Sequence, residues 1–125
     1  MDFSISNPEE AKQHLRDWKQ RADKLAEDTQ AAGTAIQRLT ATGSDANETV
    51  EISLDANGSM TSVKLSTAAQ RQSTRHTERA IIEAYRAAGT QLLDRAREAV
   101  SSTLGDESPT GRAMIEGIRQ RLPTG

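Results

Sequence analysis

Residues 49–66 read Thr49-Val-Glu-Ile-Ser-Leu-Asp-Ala-Asn-Gly-Ser-Met-Thr-Ser-Val-Lys-Leu-Ser66. Apolar residues alternate with polar ones on both sides of Asn57-Gly58, which is typical of two half-buried strands joined by a tight turn. A two-residue type I′ turn at Asn57-Gly58 pairs Ile52 with Val63 and gathers the apolar side chains on one face. The stretch therefore predicts an antiparallel β-hairpin with one apolar face.

A long helix is predicted before the hairpin. Asn7 suits the N-cap and Pro8 the first helical position. Apolar and small residues then recur at alternating spacings of four and three, the pattern of a heptad seam: Ala11, Leu15, Trp18, Ala22, Leu25, Thr29, Ala32, Ile36 and Leu39. We expect a helix from residue 8 to 34, and the seam leaves open whether it continues to Leu39.

A second long helix is predicted from Thr74, since Ile81, Tyr85 and Leu92 fall within a narrow angular sector. Leu104-Gly105 is typical of its end, and a third strand is expected at about residues 38–43. The predicted fold is α+β, α-β-β-β-α: a small antiparallel three-stranded sheet flanked by two long helices in two layers. Residues 1–104 form a single domain. Residues 105–125 form a linker and a tail that is either a short amphipathic helix, folding on contact, or a frayed end.

The composition predicts a homodimer. Of 125 residues, 34% are hydrophobic, but 18 of these are Ala and only 25 are Val, Ile, Leu, Met, Phe, Trp or Tyr. Such a set is thin for the core of a self-sufficient monomer. We expect the seam and the apolar face of the hairpin to meet a second copy through Leu15, Trp18, Leu25, Val50, Ile52, Val63 and Leu65.

The sequence does not favour catalysis. There is no Cys, which fits a reducing cytoplasm, and no motif of a nucleophile or phosphate loop. His14 and His76 belong to separate charged helices, where surface exposure is the usual fate of a histidine. We expect no enzyme, no cofactor and no metal site, and no segment has the roughly 20 apolar residues of a membrane span.

The capped first helix, the hairpin and the Ala-rich segment Glu78-Arg-Ala-Ile-Ile-Glu-Ala-Tyr-Arg-Ala-Ala88 resemble the YbaB/EbfC family of small bacterial nucleoid-associated proteins. The resemblance covers roughly residues 8–103. It implies the α-β-β-β-α fold, an intimate homodimer in the cytoplasm at the nucleoid, and binding of double-stranded DNA with little sequence preference. The reduced Gly-rich stretch at residues 43–48 and the longer tail are departures from the family pattern.

With these departures the chain resembles a divergent member of the family, such as one of its actinobacterial branch. That branch of the family includes proteins associated with type VII secretion loci. The alternative function is therefore a protein-interaction or assembly module of the same fold, holding a protein partner through the seam and the C-terminal tail.

A DNA site has to be local, because the formal net charge is −2. At 100° per residue, four arginines of the second helix fall opposite its apolar face, and three cations of the first helix share one edge. The candidate DNA-binding residues are Arg75, Arg79, Arg86 and Arg97, with Lys12, Arg16 and Lys19. The same pattern also occurs on ordinary solvated helices, so the residues alone leave both interpretations open.

Overall fold

The computed structural model describes residues 7–123; residues 1–6 of the expected domain and residues 124–125 of the expected tail lie outside this range. The elements follow in the order α1 (Pro8–Gln37), β1 (Ala41–Ser44), β2 (Val50–Leu54), β3 (Met60–Leu65), α2 (Thr67–Arg71), α3 (Thr74–Leu104) and α4 (Pro109–Arg119). The three strands form an open antiparallel sheet in the order β1-β2-β3. The predicted α+β class is confirmed.

The hairpin has the predicted register but a different turn. Ile52 pairs with Val63 as expected, but the register shifts after Ser53. A type I′ turn needs positive φ at both central residues, whereas Gly58 has φ 81° and Asn57 is not in that region. The Asp55 carboxylate accepts the Asn57 and Ser59 N–H groups at 2.9 and 3.0 Å. This side chain moves the turn to Asp55–Gly58 and leaves Gly58 as the left-handed residue of a bulge.

The ends of the first helix and first strand differ from the expected ones by a few residues. Asn7 caps α1 by accepting the Glu9 N–H at 2.9 Å. The helix continues through Gly33 to Gln37, with Arg38 as its C-cap. Consequently β1 begins only at Ala41. The short helix α2, capped by Ser66, was not predicted.

Helix α3 packs directly on the sheet because the residues between them are small. A Cβ built on Gly43 of β1 would lie 2.1 Å from the backbone nitrogen of Ala88, so strand and helix backbones are in contact. Four large side chains are fully buried in this core: Ile52, Leu54, Leu92 and Val50. The small alanines of α3 let the helix approach the sheet closely, so the large apolar side chains of β2 are covered.

Residues 109–123 pack against their own chain. Ser108 caps α4 by accepting the Gly111 N–H at 3.1 Å. Ile118 is buried with Leu93 and Ala96 of α3. Farther along, a Cβ on Gly89 would lie 2.3 Å from the Pro123 carbonyl oxygen. Within the described residues, the tail is therefore a helix packed on α3.

Two of the residues assigned to a dimer interface are buried within the chain. Val50 and Ile52 are 1% and 0% exposed, because α3 covers their strand. A partner cannot reach them, which corrects the expected interface at these two positions. The neighbouring residues of β3 are open: Val63 is 46% and Leu65 50% exposed.

The N-terminal two thirds of α1, residues 8–27 (the α1 arm), has no buried side chain. Leu15, Trp18 and Leu25 are exposed by 67%, 65% and 48%. The first buried residue of the helix is Ala32. The seam predicted from the heptad spacing therefore has no partner along the arm within the described chain.

Candidate nucleic-acid interface

The first part of α3 places three of the expected arginines on an exposed surface. Ser73 starts this helix by accepting the His76 N–H at 3.2 Å. On one side, Ala80, Ala84 and Ala88 are buried against the sheet. Arg75, Arg79 and Arg86 are exposed, as expected for the opposite side of an amphipathic helix. These three arginines are the α3 stripe.

The structure brings two residues of the α3 stripe together. Arg79 and Arg86 line one shallow groove with Ile82 and Glu83. The Glu83 carboxylate is held toward the sheet, since it accepts the Ala46 N–H at 3.2 Å. Among the ion pairs of the described residues, none involves Arg79 or Arg86. Their guanidinium groups are thus available to an external anion.

The loop that receives Glu83 is fixed by the buried carboxylate of Asp45. This carboxylate accepts the Thr49 N–H, the Thr49 hydroxyl and the Val50 N–H at 2.7, 2.7 and 2.8 Å. Burial by itself raises the pKa of Asp45, but these hydrogen bonds outweigh it and lower the pKa below the ordinary value. Asp45 is therefore a structural anion that orders the β1–β2 loop beneath the α3 stripe.

The three cations expected on α1 lie along the exposed arm. Lys12 Nζ lies 3.7 Å from the Glu9 carboxylate, and Arg16 donates to Gln13 Oε1 at 3.1 Å. No hydrogen bond or ion pair among the described residues joins Lys12, Arg16 or Lys19 to α3. The three cations of the α1 arm are therefore a set separate from the α3 stripe.

Arg97 is separated from the α3 stripe and lies beside α4. It is 11 residues beyond Arg86, or about 16 Å along the helix. Its guanidinium lies 3.5 Å from the exposed Asp94 carboxylate. Arg97 shares a groove between α3 and α4 with Arg112 and Arg119. The fourth expected arginine thus belongs to a second cationic cluster.

The family model of the YbaB/EbfC DNA-binding family matches residues 12–107. The chain belongs to this family. No curated protein and no solved structure matches the chain. YbaB/EbfC proteins are nucleoid-associated and DNA-binding.

The YbaB/EbfC match covers all seven candidate DNA-binding residues and ends before α4. Arg112 and Arg119 therefore lie outside it, and sequence reasoning did not include them among the site residues. The available signal was the apolar spacing of the tail, which predicts a helix but not the surface on which it packs. Their approach to Arg97 depends on the tertiary contact between α3 and α4.

Arg119 is occupied by a neighbouring carboxylate. It donates to Glu116 from Nε at 3.0 Å and from Nη2 at 2.7 Å. These hydrogen bonds from Arg119 lower the pKa of Glu116, and the same bonds raise the pKa of Arg119. Both side chains are about half exposed, so an anion in solution can compete for the guanidinium.

Residues 7–123 contain no group of three or more His, Asp or Glu side chains placed to hold a metal ion. Over the same residues, no helix combines the length and the apolarity needed to cross a membrane.

Proposed function

We propose that this YbaB/EbfC protein binds double-stranded DNA as a homodimer, with little sequence specificity, at the bacterial nucleoid. The observation that carries the proposal is the α3 stripe: three exposed arginines on the side of α3 turned away from the sheet, in a chain of a DNA-binding family. Arginine binds phosphate oxygens with its fork of N–H donors.

The chemistry of the stripe favours backbone contact over reading of base sequence. Arginines on a long exposed helix can neutralise phosphates and release counterions, whatever the bases between them. Lys12, Arg16 and Lys19 would add contacts from the α1 arm. Because the total charge is −2, binding would depend on the segregation of these cations from the acidic residues.

The homodimer is proposed from the exposed apolar surface. Leu15, Trp18 and Leu25 on the α1 arm, with Val63 and Leu65 on β3, are each at least 46% exposed. Large apolar side chains left in solvent on two elements are typical of protein interfaces. A second copy would bury them and would duplicate the cationic residues for DNA.

The test is binding of a long duplex, measured by fluorescence anisotropy at several salt concentrations. We expect Arg79→Glu/Arg86→Glu to lower the affinity at least tenfold and to flatten its salt dependence. The control Arg38→Glu/Arg71→Glu makes the same change in net charge outside the stripe and should have a much smaller effect. Equal loss in both variants, or no loss in the first, would contradict the proposed contact.

A further inference from the structure

Helix α4 is held rigidly on α3, although it lies beyond the residues matched to the family. A Cβ built on Gly111 would lie 2.5 Å from Val100 Cγ1, so the first turn of α4 is in direct contact with α3. Ile118, two turns later, is buried to 5% exposure. Two fixed points along an 11-residue helix determine its orientation, and with it the side on which Arg112 and Arg119 lie.

The two helices enclose a groove of about 410 Å³ whose wall carries three guanidinium groups. Arg97 faces the exposed Asp94 at 3.5 Å, and Arg119 is bound to Glu116. Arg112 takes part in none of the ion pairs found among residues 7–123. The groove thus contains the unpaired guanidinium of Arg112. The other two guanidinium groups are paired with carboxylates that are exposed to solvent.

The groove also contains two carboxylates, and both are engaged. Asp106 accepts a hydrogen bond from the Ser101 hydroxyl. Glu116 is bound to Arg119 and, at 3.5 Å, to the side-chain amide of Gln120. Their negative charge opposes an incoming anion. Removing the charge of Glu116 would therefore be expected to strengthen anion binding.

The position of the groove relates it to the α3 stripe. Arg75 and Arg97 are 22 residues apart on one continuous helix, which corresponds to about 33 Å. One turn of B-DNA is about 34 Å long. A duplex lying along α3 therefore presents the same edge of its backbone at both ends of this distance.

From this geometry we infer that the groove between α3 and α4 is a second phosphate-binding site for duplex DNA, with Arg112 as its main cation and Arg97 beside it. The inference rests on the proposed function, because the same duplex has to contact the α3 stripe. It assigns the C-terminal helix a role in extending the DNA footprint beyond the part of the chain that the family model covers.

The experiment measures the binding of a 30-bp duplex to the full chain from low to moderate salt. Each lost phosphate contact reduces the slope of log Kobs against log salt by about 0.9 in magnitude. We expect Arg112→Gln to weaken binding severalfold and to reduce the slope by this amount for each copy that contacts the duplex. The matched control is Arg121→Gln, which removes an exposed arginine from a different groove, beside Met114 and Asn57.

Glu116→Gln provides a test with the opposite sign. It removes a negative charge from the groove and releases Arg119, so the affinity should rise. Circular dichroism melting of each variant shows whether it remains folded. If Arg112→Gln fails to fold, the DNA affinity of Glu116→Gln still tests the inference: an increase supports it and no increase contradicts it.

Equal affinities and slopes for Arg112→Gln and Arg121→Gln, with no gain in Glu116→Gln, would overturn the inference. Arg79→Gln/Arg86→Gln separates this failure from that of the proposed function. If the stripe variant binds DNA weakly while the groove variants match wild type, DNA binding stands and only the second site is rejected. If all of them match wild type, both proposals are rejected.

Discussion

At the scale of single residues, the buried carboxylate of Asp45 orders the β1–β2 loop. It accepts three hydrogen bonds within the β1–β2 loop. A truncated side chain leaves the Thr49 and Val50 N–H groups without an acceptor. Buried donors that lose their acceptor cost about 1–3 kcal/mol each.

We therefore predict that Asp45→Ala lowers the free energy of unfolding by roughly 2–6 kcal/mol, since two buried N–H groups lose their acceptor. Urea denaturation at neutral pH measures the change. Asp94→Ala removes an exposed carboxylate and should alter stability by less than about 0.5 kcal/mol. Similar losses in the two variants would contradict the structural role of Asp45.

The same carboxylate predicts a pH dependence. Its folded-state pKa is lowered from the ordinary value of 3.8, so its contribution to stability is present above that value. It is lost as the pH falls through the lowered pKa. The stability difference between wild type and Asp45→Asn should therefore be constant near neutral pH and shrink below about pH 4. A difference that grows on acidification would show the opposite shift.

The contact of Gly43 with helix α3 could not be predicted from the sequence. The strand expected at about residues 38–43 has Gly43 as its last residue and assigns it no contact with a helix. In the structure it is a buried strand residue, and the Ala88 backbone occupies the place of its side chain. This role depends on two segments 45 residues apart in the chain, and local spacing contains no information on which helix packs at which strand position.

At the scale of elements, the hairpin shows which features follow from pattern alone. The alternation of apolar residues determined the pairing of Ile52 with Val63, since a slip of one residue would turn every side chain to the other face. The turn type did not follow, because the Asp55 carboxylate accepts the Asn57 and Ser59 N–H groups, whereas a type I′ turn would direct the Ser59 N–H to the Ala56 carbonyl. The packing of α4 also escaped prediction, since it depends on tertiary contact.

The observed turn predicts different responses at Asn57 and Gly58, which would be the two central residues of a type I′ turn. Gly58 has φ 81°, so Gly58→Ala should destabilise the protein by about 1–2 kcal/mol or more. Its Cβ would also lie 2.9 Å from Leu122 Cδ2. Asn57→Ala should change stability by less than about 0.5 kcal/mol, because this residue is outside the left-handed region. Thermal melting of both variants measures these changes. Comparable destabilisation by Gly58→Ala and Asn57→Ala would favour the type I′ turn.

At the scale of the whole molecule, the few large apolar residues are divided unevenly between the buried core and the exposed surface. The core under α3 is complete, with Val50, Ile52, Leu54 and Leu92 fully buried. The α1 arm and β3, however, leave their large apolar side chains in solvent. A chain with few such residues that exposes several of them in two places is typical of a subunit, which is the physical basis of the proposed homodimer.

The homodimer predicts how mass and stability respond to the loss of these side chains. Sedimentation at micromolar concentration should give about twice 13.6 kDa for wild type. The melting temperature should rise with protein concentration. Trp18→Ala/Leu25→Ala removes two apolar contacts of the arm and should increase the dissociation constant more than tenfold. Lys19→Ala/Arg21→Ala, exposed changes on the same arm, should leave the mass unchanged. A wild-type mass of 13.6 kDa at this concentration would contradict the dimer and require another partner to cover the arm.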